Sequence, residues 1–165
     1  MPVVLARVDD RLIHGQVTVG WSERLRPDRI ILASNVIAAD PWQSRVYASS
    51  VPPSIAVSVL SLARTAAALR GGESAAERTI VLTATPTEMS DLAHLGAPLP
   101  SVNIGGMHFG AGKVEMLPFV FIDRLDLAAM RHLLAAGLTL FAQQVPGGRE
   151  HALGAEQLAS MEPRL

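Results

Sequence analysis

The 165-residue sequence contains no cysteine. Disulfides, thiol nucleophiles and cysteine-ligated metals are thereby excluded, and the absence fits a cytosolic protein. A basic excess is lacking too: 14 Lys and Arg stand against 15 Asp and Glu, a formal net charge of -1. Nothing in that balance recommends nucleic acid or an anionic membrane surface as a partner. No apolar run approaches the ~20 residues of a membrane span. The N-terminus has neither the cationic start nor the small-residue cleavage site of a signal peptide. Nucleotide signatures are missing as well: there is no GxxxxGK[ST], and Gly105-Gly106 lacks the GxGxxG spacing. Internal repeats, linkers and low-complexity blocks are absent.

What is present is apolar residue, 49% against 18% charged. That ratio excludes a disordered chain and calls for elements buried on both faces. The length suits one domain over residues 1–165. Strands are predicted at Val3 to Val8, Arg29 to Ser34, Ile55 to Leu60, Thr79 to Ala84, Val102 to Ile104 and Leu138 to Val145. Val114 to Ile122 reads as extended, with Pro118 as a break. Helical patterns run from His14 to Arg26, where Pro27 stops them, and from Asp40 to Ser50. Others cover Ser61 to Arg70, Thr87 to Leu95, Asp126 to Ala136 and Ala155 to Met161. Asn35 to Asp40 is expected as a loop, and Glu73 to Arg78 as a polar connection after Gly71-Gly72. Alternating strands and helices imply a three-layer α/β/α sandwich around a mainly parallel sheet of about six or seven strands.

The chain is organised around Arg7-Val8-Asp9-Asp10-Arg11-Leu12-Ile13-His14-Gly15-Gln16-Val17. A strand here hands over to a helix, where free backbone N–H groups and a partial positive charge favour anions. A histidine beside carboxylates and guanidiniums is equipped to take on a dianionic phosphoryl group. Imidazole is a good nucleophile toward phosphorus, and its ordinary pKa of ~6.5 leaves it mostly neutral at physiological pH. His14 is therefore the candidate nucleophile. Arg11, three residues earlier, is the candidate for stabilising the transferring oxygens. Adjacent residues point to opposite sides, so one of Asp9 and Asp10 faces the ring and orients it; Asp10 is the nearer in sequence. Gly15 lets backbone approach a phosphate, and Gln16 offers a donor. Arg7 lies back in the strand, either lining the same site or in a structural ion pair. Thr85 and Thr87 follow the fourth strand, as phosphate contacts or as helix caps. Asn103, Gly105, Gly106, Met107 and His108 form a second patch, as a loop beside the site or as a simple corner. Trp21 and Trp42 read as core or partner-contact residues. The histidines lack metal-ligand spacing, so no metal is expected.

The Arg7-to-Val17 run resembles the active-site signature of the mannose/fructose/sorbose-type IIB subunits of the bacterial phosphotransferase system. Ala38-Ala39-Asp40, Thr85-Pro86-Thr87 and Ser101-Val102-Asn103-Ile104-Gly105-Gly106-Met107 follow in that family's order. The likeness fades after about Gly147. Thr85 stands where the family commonly has asparagine, and Asn35 where many members have aspartate. The resemblance implies a protein-histidine–sugar phosphotransferase without a bound cofactor. His14 would accept phosphate from a IIA domain and deliver it to a sugar held by the membrane subunits IIC and IID. It further implies a cytoplasmic protein, associated with the inner membrane through IIC and IID, in a family that often forms dimers, so that a homodimer is a candidate assembly. The first strand opens at once, so no fused IIA domain is expected ahead of it. Two alternatives remain at this level: a regulatory phosphorelay protein with no sugar of its own, and a non-catalytic binding module.

Overall fold

The structure, a computed structural model, describes residues 1–71 and 76–165. The first strand, β1 (Val3–Val8), is followed by a helical stretch that is π-helical over Gln16–Trp21 and continues as α1 (Ser22–Leu25). Then come β2 (Arg29–Ala33), α2 (Asn35–Ala38), α3 (Pro41–Ala48), β3 (Ala56–Leu60), α4 (Leu62–Arg70), β4 (Thr79–Thr83) and α5 (Pro86–His94). The second half contains β5 (Val102–Ile104), β6 (Val114–Leu117), β7 (Val120–Ile122), α6 (Arg124–Ala135), β8 (Leu140–Ala142), β9 (His151–Ala152) and α7 (Ala155–Ala159).

Seven strands form the main sheet in the order β3-β2-β4-β1-β5-β8-β9. All neighbours pair in parallel except β9, which runs antiparallel to β8. The central strands are continuous apolar runs because both their faces are covered: Ile30, Ile31, Leu32, Ile80, Val81 and Leu82 have no exposed surface. Parallel pairing demands crossovers, and the helices supply them. Trp21, Ile37 and Tyr47 bring the first three helical segments onto one face, with Leu5, Ile30 and Leu82 of the strands. Met89, Leu127 and Leu158, with Leu62 and Leu69, bring α4 to α7 onto the other.

From β1 the chain winds first toward β3, then returns past β1 to β8. The winding therefore reverses at β1, and helices leave its neighbourhood on opposite faces. Such a reversal opens a crevice beyond the carboxyl ends of the strands, where α/β folds bind ligands.

Several expected boundaries move for local reasons. Asn35 to Ala38 is a short helix, because the Ser34 hydroxyl accepts the Ile37 amide at 3.4 Å. Thr85, not Thr87, caps α5, in a capping box with Glu88 and with Pro86 at the first helical position. Asp123 rather than Asp126 caps α6; Asp126 is its reciprocal partner three residues on. The segment around Pro118 is an antiparallel hairpin of β6 and β7 rather than one strand. The last predicted strand shrinks to Leu140–Ala142, and β9 was not foreseen. The polar connection expected at 73–78 falls partly outside the described residues.

Candidate functional site

β1 delivers the chain into a loop that its two neighbouring strands hold down. The Asp9 amide donates to the Thr83 carbonyl at 3.0 Å, at the end of β4, and the Asp10 amide donates to the Gly106 carbonyl at 2.9 Å, beyond β5. Leu12 and Ile13 are buried in the apolar cluster under the loop. Anchoring them turns the chain tightly enough that Leu12 adopts a left-handed backbone, φ +58°. That conformation is costly for a residue with a branched side chain. His14 emerges one step later at the start of the helical stretch.

Four charged or titratable side chains meet here. Arg7 and Asp9 are fully buried, Arg11 is about one-third exposed (32%) and His14 less so (18%). Asp9 is the hub. Its carboxylate accepts from Arg7 Nη2 at 2.9 Å, from the Arg11 amide and Nε at 3.1 Å each, and from Arg11 Nη2 at 3.2 Å. Burial pushes the Asp9 carboxyl pKa up, but the hydrogen bonds from Arg11 and the charge of Arg7 outweigh it. The net result lies below the ordinary aspartate value. Arg7 is pushed down by burial and held up by Asp9. Its guanidinium lies 5.3 Å above the Trp21 ring, a cation–π contact from the helical stretch onto the strand.

His14 Nδ1 sits 2.8 Å from the Leu12 carbonyl. A carbonyl only accepts, so Nδ1 carries a hydrogen, and in the neutral ring the lone pair is on Nε2. Nε2 is covered, has no hydrogen-bond partner and lies 3.8 Å from Asp9 Oδ2. In this arrangement Nε2 is covered and Nδ1 is engaged by the Leu12 carbonyl. Nδ1 must leave Leu12, or Nε2 must leave the shelter of Asp9, before either reaches a phosphorus.

Donors for an anion stand alongside. The Val17 and Thr18 amides both bond the His14 carbonyl at 2.9 Å. Those of Gly15 and Gln16, earlier in the same turn, have no acceptor among the described residues. A Cβ built on Gly15 would meet nothing within 4 Å, so the space over it is open. Gln16 Oε1 accepts Arg11 Nη2 at 3.1 Å, fixing one edge of that guanidinium; Nη1 has no partner among the described residues.

The structure thus brings His14, Arg11, Gly15 and Gln16 together. It turns Asp10 away. The Asp10 carboxylate takes the His108 amide at 2.7 Å and lies 2.6 Å from His108 Nδ1, so Asp9, not Asp10, is the carboxylate beside the ring. Arg7 is a buried strut rather than an open phosphate ligand. Nη1 donates to Asn103 Oδ1 and to the Gln143 carbonyl, and Nη2 to Asp9 and the Gln144 carbonyl. Arg7 and Asn103 are register partners on parallel strands, which explains their meeting. Gly105 and Gly106 lie against the two guanidiniums. Met107 is core, bonded through its backbone to Phe119 and Phe121. Thr85 spends its hydroxyl on the α5 cap. Thr87 stands exposed on α5, lining a cleft against α6 with Leu125 and His132. Sequence reasoning missed the Gln143 and Gln144 carbonyls, which carry no side-chain signal. It also missed a cleft of about 280 Å³ beside Arg11, lined by Phe109, Pro118, Phe119 and Phe121.

Fold and site together define a doubly wound α/β protein with a histidine–arginine–aspartate loop at the carboxyl end of its central strand. Residues 3–158 match the family described as the sorbose subfamily IIB component of the phosphotransferase system. The match runs past Gly147, where the motif likeness fades. The sorbose-specific EIIB component of Lacticaseibacillus casei is 38% identical over 140 residues, 85% of each chain. The fructose-specific EIIB component of Bacillus subtilis is 32% identical over 146 residues, 88% of this chain and 90% of that one. The mannose-specific EIIAB component of Escherichia coli K12 is 35% identical over 145 residues, and the match spans 45% of its length. Among solved structures, the IIBSor domain of the sorbose permease from Klebsiella pneumoniae superimposes with a TM-score of 0.87 at 29% identity, covering 97% of each chain. The chain belongs to the sorbose/mannose-type IIB components of the sugar phosphotransferase system, which are phosphotransferases. No helix among the described residues is long and apolar enough to cross a membrane.

Proposed function

We propose that this chain is a cytoplasmic phosphocarrier in which His14 accepts a phosphoryl group from a IIA domain. It then passes the group to a sugar entering through IIC and IID membrane subunits. The observation that carries the reading is the way one carboxylate stands between Arg11 and His14. Arg11 is held by Asp9 at 3.1 and 3.2 Å with Nη1 left over, and the same carboxylate stands 3.8 Å from the histidine nitrogen that bears the lone pair. A nucleophile held by the Leu12 carbonyl, a buried carboxylate beside it and a guanidinium with one nitrogen to spare share one loop.

In the forward step an imidazole nitrogen donates its lone pair to phosphorus as the bond to the IIA donor breaks. Charge spreads over three equatorial oxygens, and the protein's part is positioning and electrostatic stabilisation. Arg11 Nη1 and the Gly15 and Gln16 amides are the groups that meet those oxygens. A hydrogen bond from the ring's second nitrogen keeps the imidazole oriented, and the phosphohistidine retains enough transfer potential to phosphorylate a hydroxyl. The aromatic cleft beside Arg11 and the exposed Phe109 offer an apolar surface with a cation at its edge, suited to a IIA face of opposite charge. IIC and IID tether the protein at the inner membrane during sugar transfer, and the sugar is chosen in those subunits.

The test uses the general phosphotransferase proteins, a IIA domain and labelled phosphoenolpyruvate. Acid-labile label is expected on the wild type and none on His14→Gln. Label that persists in the variant, or that never forms on the wild type, overturns the proposal. Label that forms but reaches no sugar, even with IIC/IID membranes, points to the regulatory role. Arg11→Ala is expected to slow transfer by about 10²-fold with the fold intact, the usual effect of losing one positioned donor. An unchanged rate would place the stabilising charge elsewhere.

A further inference from the structure

Gly105-Gly106 closes the loop after β5, and neither residue has a positive φ. The backbone turn therefore does not require glycine at either position. What both positions lack is room. A Cβ on Gly105 would stand 2.2 Å from Arg7 Cζ, 2.4 Å from Nη2 and 2.6 Å from Nε, inside the guanidinium. A Cβ on Gly106 would stand 3.0 Å from Arg11 Nη2, 3.2 Å from Asp9 Oδ1 and 3.3 Å from Arg11 Nε. Two consecutive glycines thus lie against two different guanidiniums, and those guanidiniums share one carboxylate.

The two contacts differ in kind. Arg7 is fully buried, and each Nη is bonded twice, to Asn103, Asp9 and two carbonyls. Nε is buried without a partner. Such a group offers no donor to a ligand, so its influence on the reaction passes through Asp9. Arg11 is partly exposed and lies along Asp9 by its Nε and Nη2 edge. A Cβ at 106 would crowd that edge, so Arg11 would have to give by a few tenths of an ångström and carry Nη1 with it.

We propose that Gly105 and Gly106 are positioning residues for phosphoryl transfer, the seats of Arg7 and Arg11 respectively. Gly105 sets the depth at which Arg7 holds Asp9. Gly106 lets Arg11 lie flat on Asp9 with Nη1 facing the phosphoryl site. The inference rests on the function proposed above, since it assigns the pair a part in that transfer.

The experiment measures donor-dependent phosphorylation of the wild type, Gly106→Ala, Arg11→Ala and the double variant. Gly106→Ala is expected to lower kcat by up to about 10-fold, a fraction of the ~10²-fold that a 1 Å misplacement of a catalytic group costs, with KM for the phosphorylated donor unchanged. Its thermal midpoint should match the wild type. In the Arg11→Ala background the same substitution should cost nothing further. A full rate in Gly106→Ala, or the same loss in both backgrounds, overturns the proposal for Gly106. Gly105→Ala is expected to fold poorly, so its partner is tested by stability. Adding Arg7→Lys, which draws the bulky head away, should raise the thermal midpoint of Gly105→Ala although it lowers that of the wild type. Equal destabilisation in both backgrounds would show that Gly105 does not seat Arg7. A wild type that takes no label at His14 defeats the phosphocarrier reading instead, and the Arg7–Gly105 coupling would still be measurable.

Discussion

Asp9 carries opposing demands at the scale of a single residue. Burial alone would raise its pKa, yet three side-chain hydrogen bonds from two arginines bring it below the ordinary value. Its folded pKa is depressed, so it binds a proton less readily than in the unfolded chain. The stability it contributes is therefore fully present above the unfolded value of ~3.9 and is lost as the pH falls through the lower folded value. A carbon-detected titration of the Asp9 carboxyl should show its midpoint below that reference; a midpoint at or above it would mean that Arg7 and Arg11 do not grip it in solution. Leu12 is the second residue under tension. Its left-handed backbone places the carbonyl that holds His14 Nδ1, so the strain and the ring's tautomer have one origin.

At the scale of elements, the site is a meeting of strand ends. β1 supplies Arg7 and the loop, β5 supplies Asn103 and the glycine pair, and the segment after β8 supplies two carbonyls. The β6–β7 hairpin is tied to the same place, because the Met107 amide donates to Phe119 at 2.9 Å and its carbonyl accepts from Phe121 at 2.9 Å. Helix caps hold the opposite layer without touching the chemistry. Asp123 accepts the Asp126 amide at 2.9 Å, while the Asp126 carboxylate takes the Asp123 amide at 3.1 Å and Lys113 Nζ at 2.9 Å. Asp123→Ala should lower stability by about 1 kcal/mol, the usual value of such a cap, with the phosphorylation rate unchanged. Denaturant melts together with the transfer assay check both halves of that statement. A fall in rate would mean that α6 is coupled to the loop.

At the scale of the whole molecule, the sheet is what keeps the loop rigid. β4 lies between β1 and β2, and Leu82 within it has no exposed surface. Leu82→Ala should cost about 2–5 kcal/mol, transfer loss plus cavity, read from the shift of the denaturation midpoint. A cost well under 1 kcal/mol would mean that the site collapses around the gap. The two faces of the sheet divide the labour. Arg7 and Trp21 lie on the face of the first helical stretch, whereas the larger cluster around α5, α6 and α7 lies on the other.

The sequence by itself determined the main alternation of strands and helices, the parallel α/β class and the loop that carries His14. Apolar periodicity and the Arg7-to-Val17 run are local properties, and burial on both faces leaves a local mark. It also brought Arg11, Gly15 and Gln16 to notice, because they sit within five residues of the histidine. Only the tertiary structure decided which aspartate faces the ring, since Asp9 and Asp10 are adjacent in the chain and the Gly106 and His108 contacts select between them. It also enclosed Arg7 in the interior and set Gly105 and Gly106 against the two guanidiniums. Those outcomes depend on residues about 96 to 137 positions apart in the chain, whose pairing is a matter of strand order.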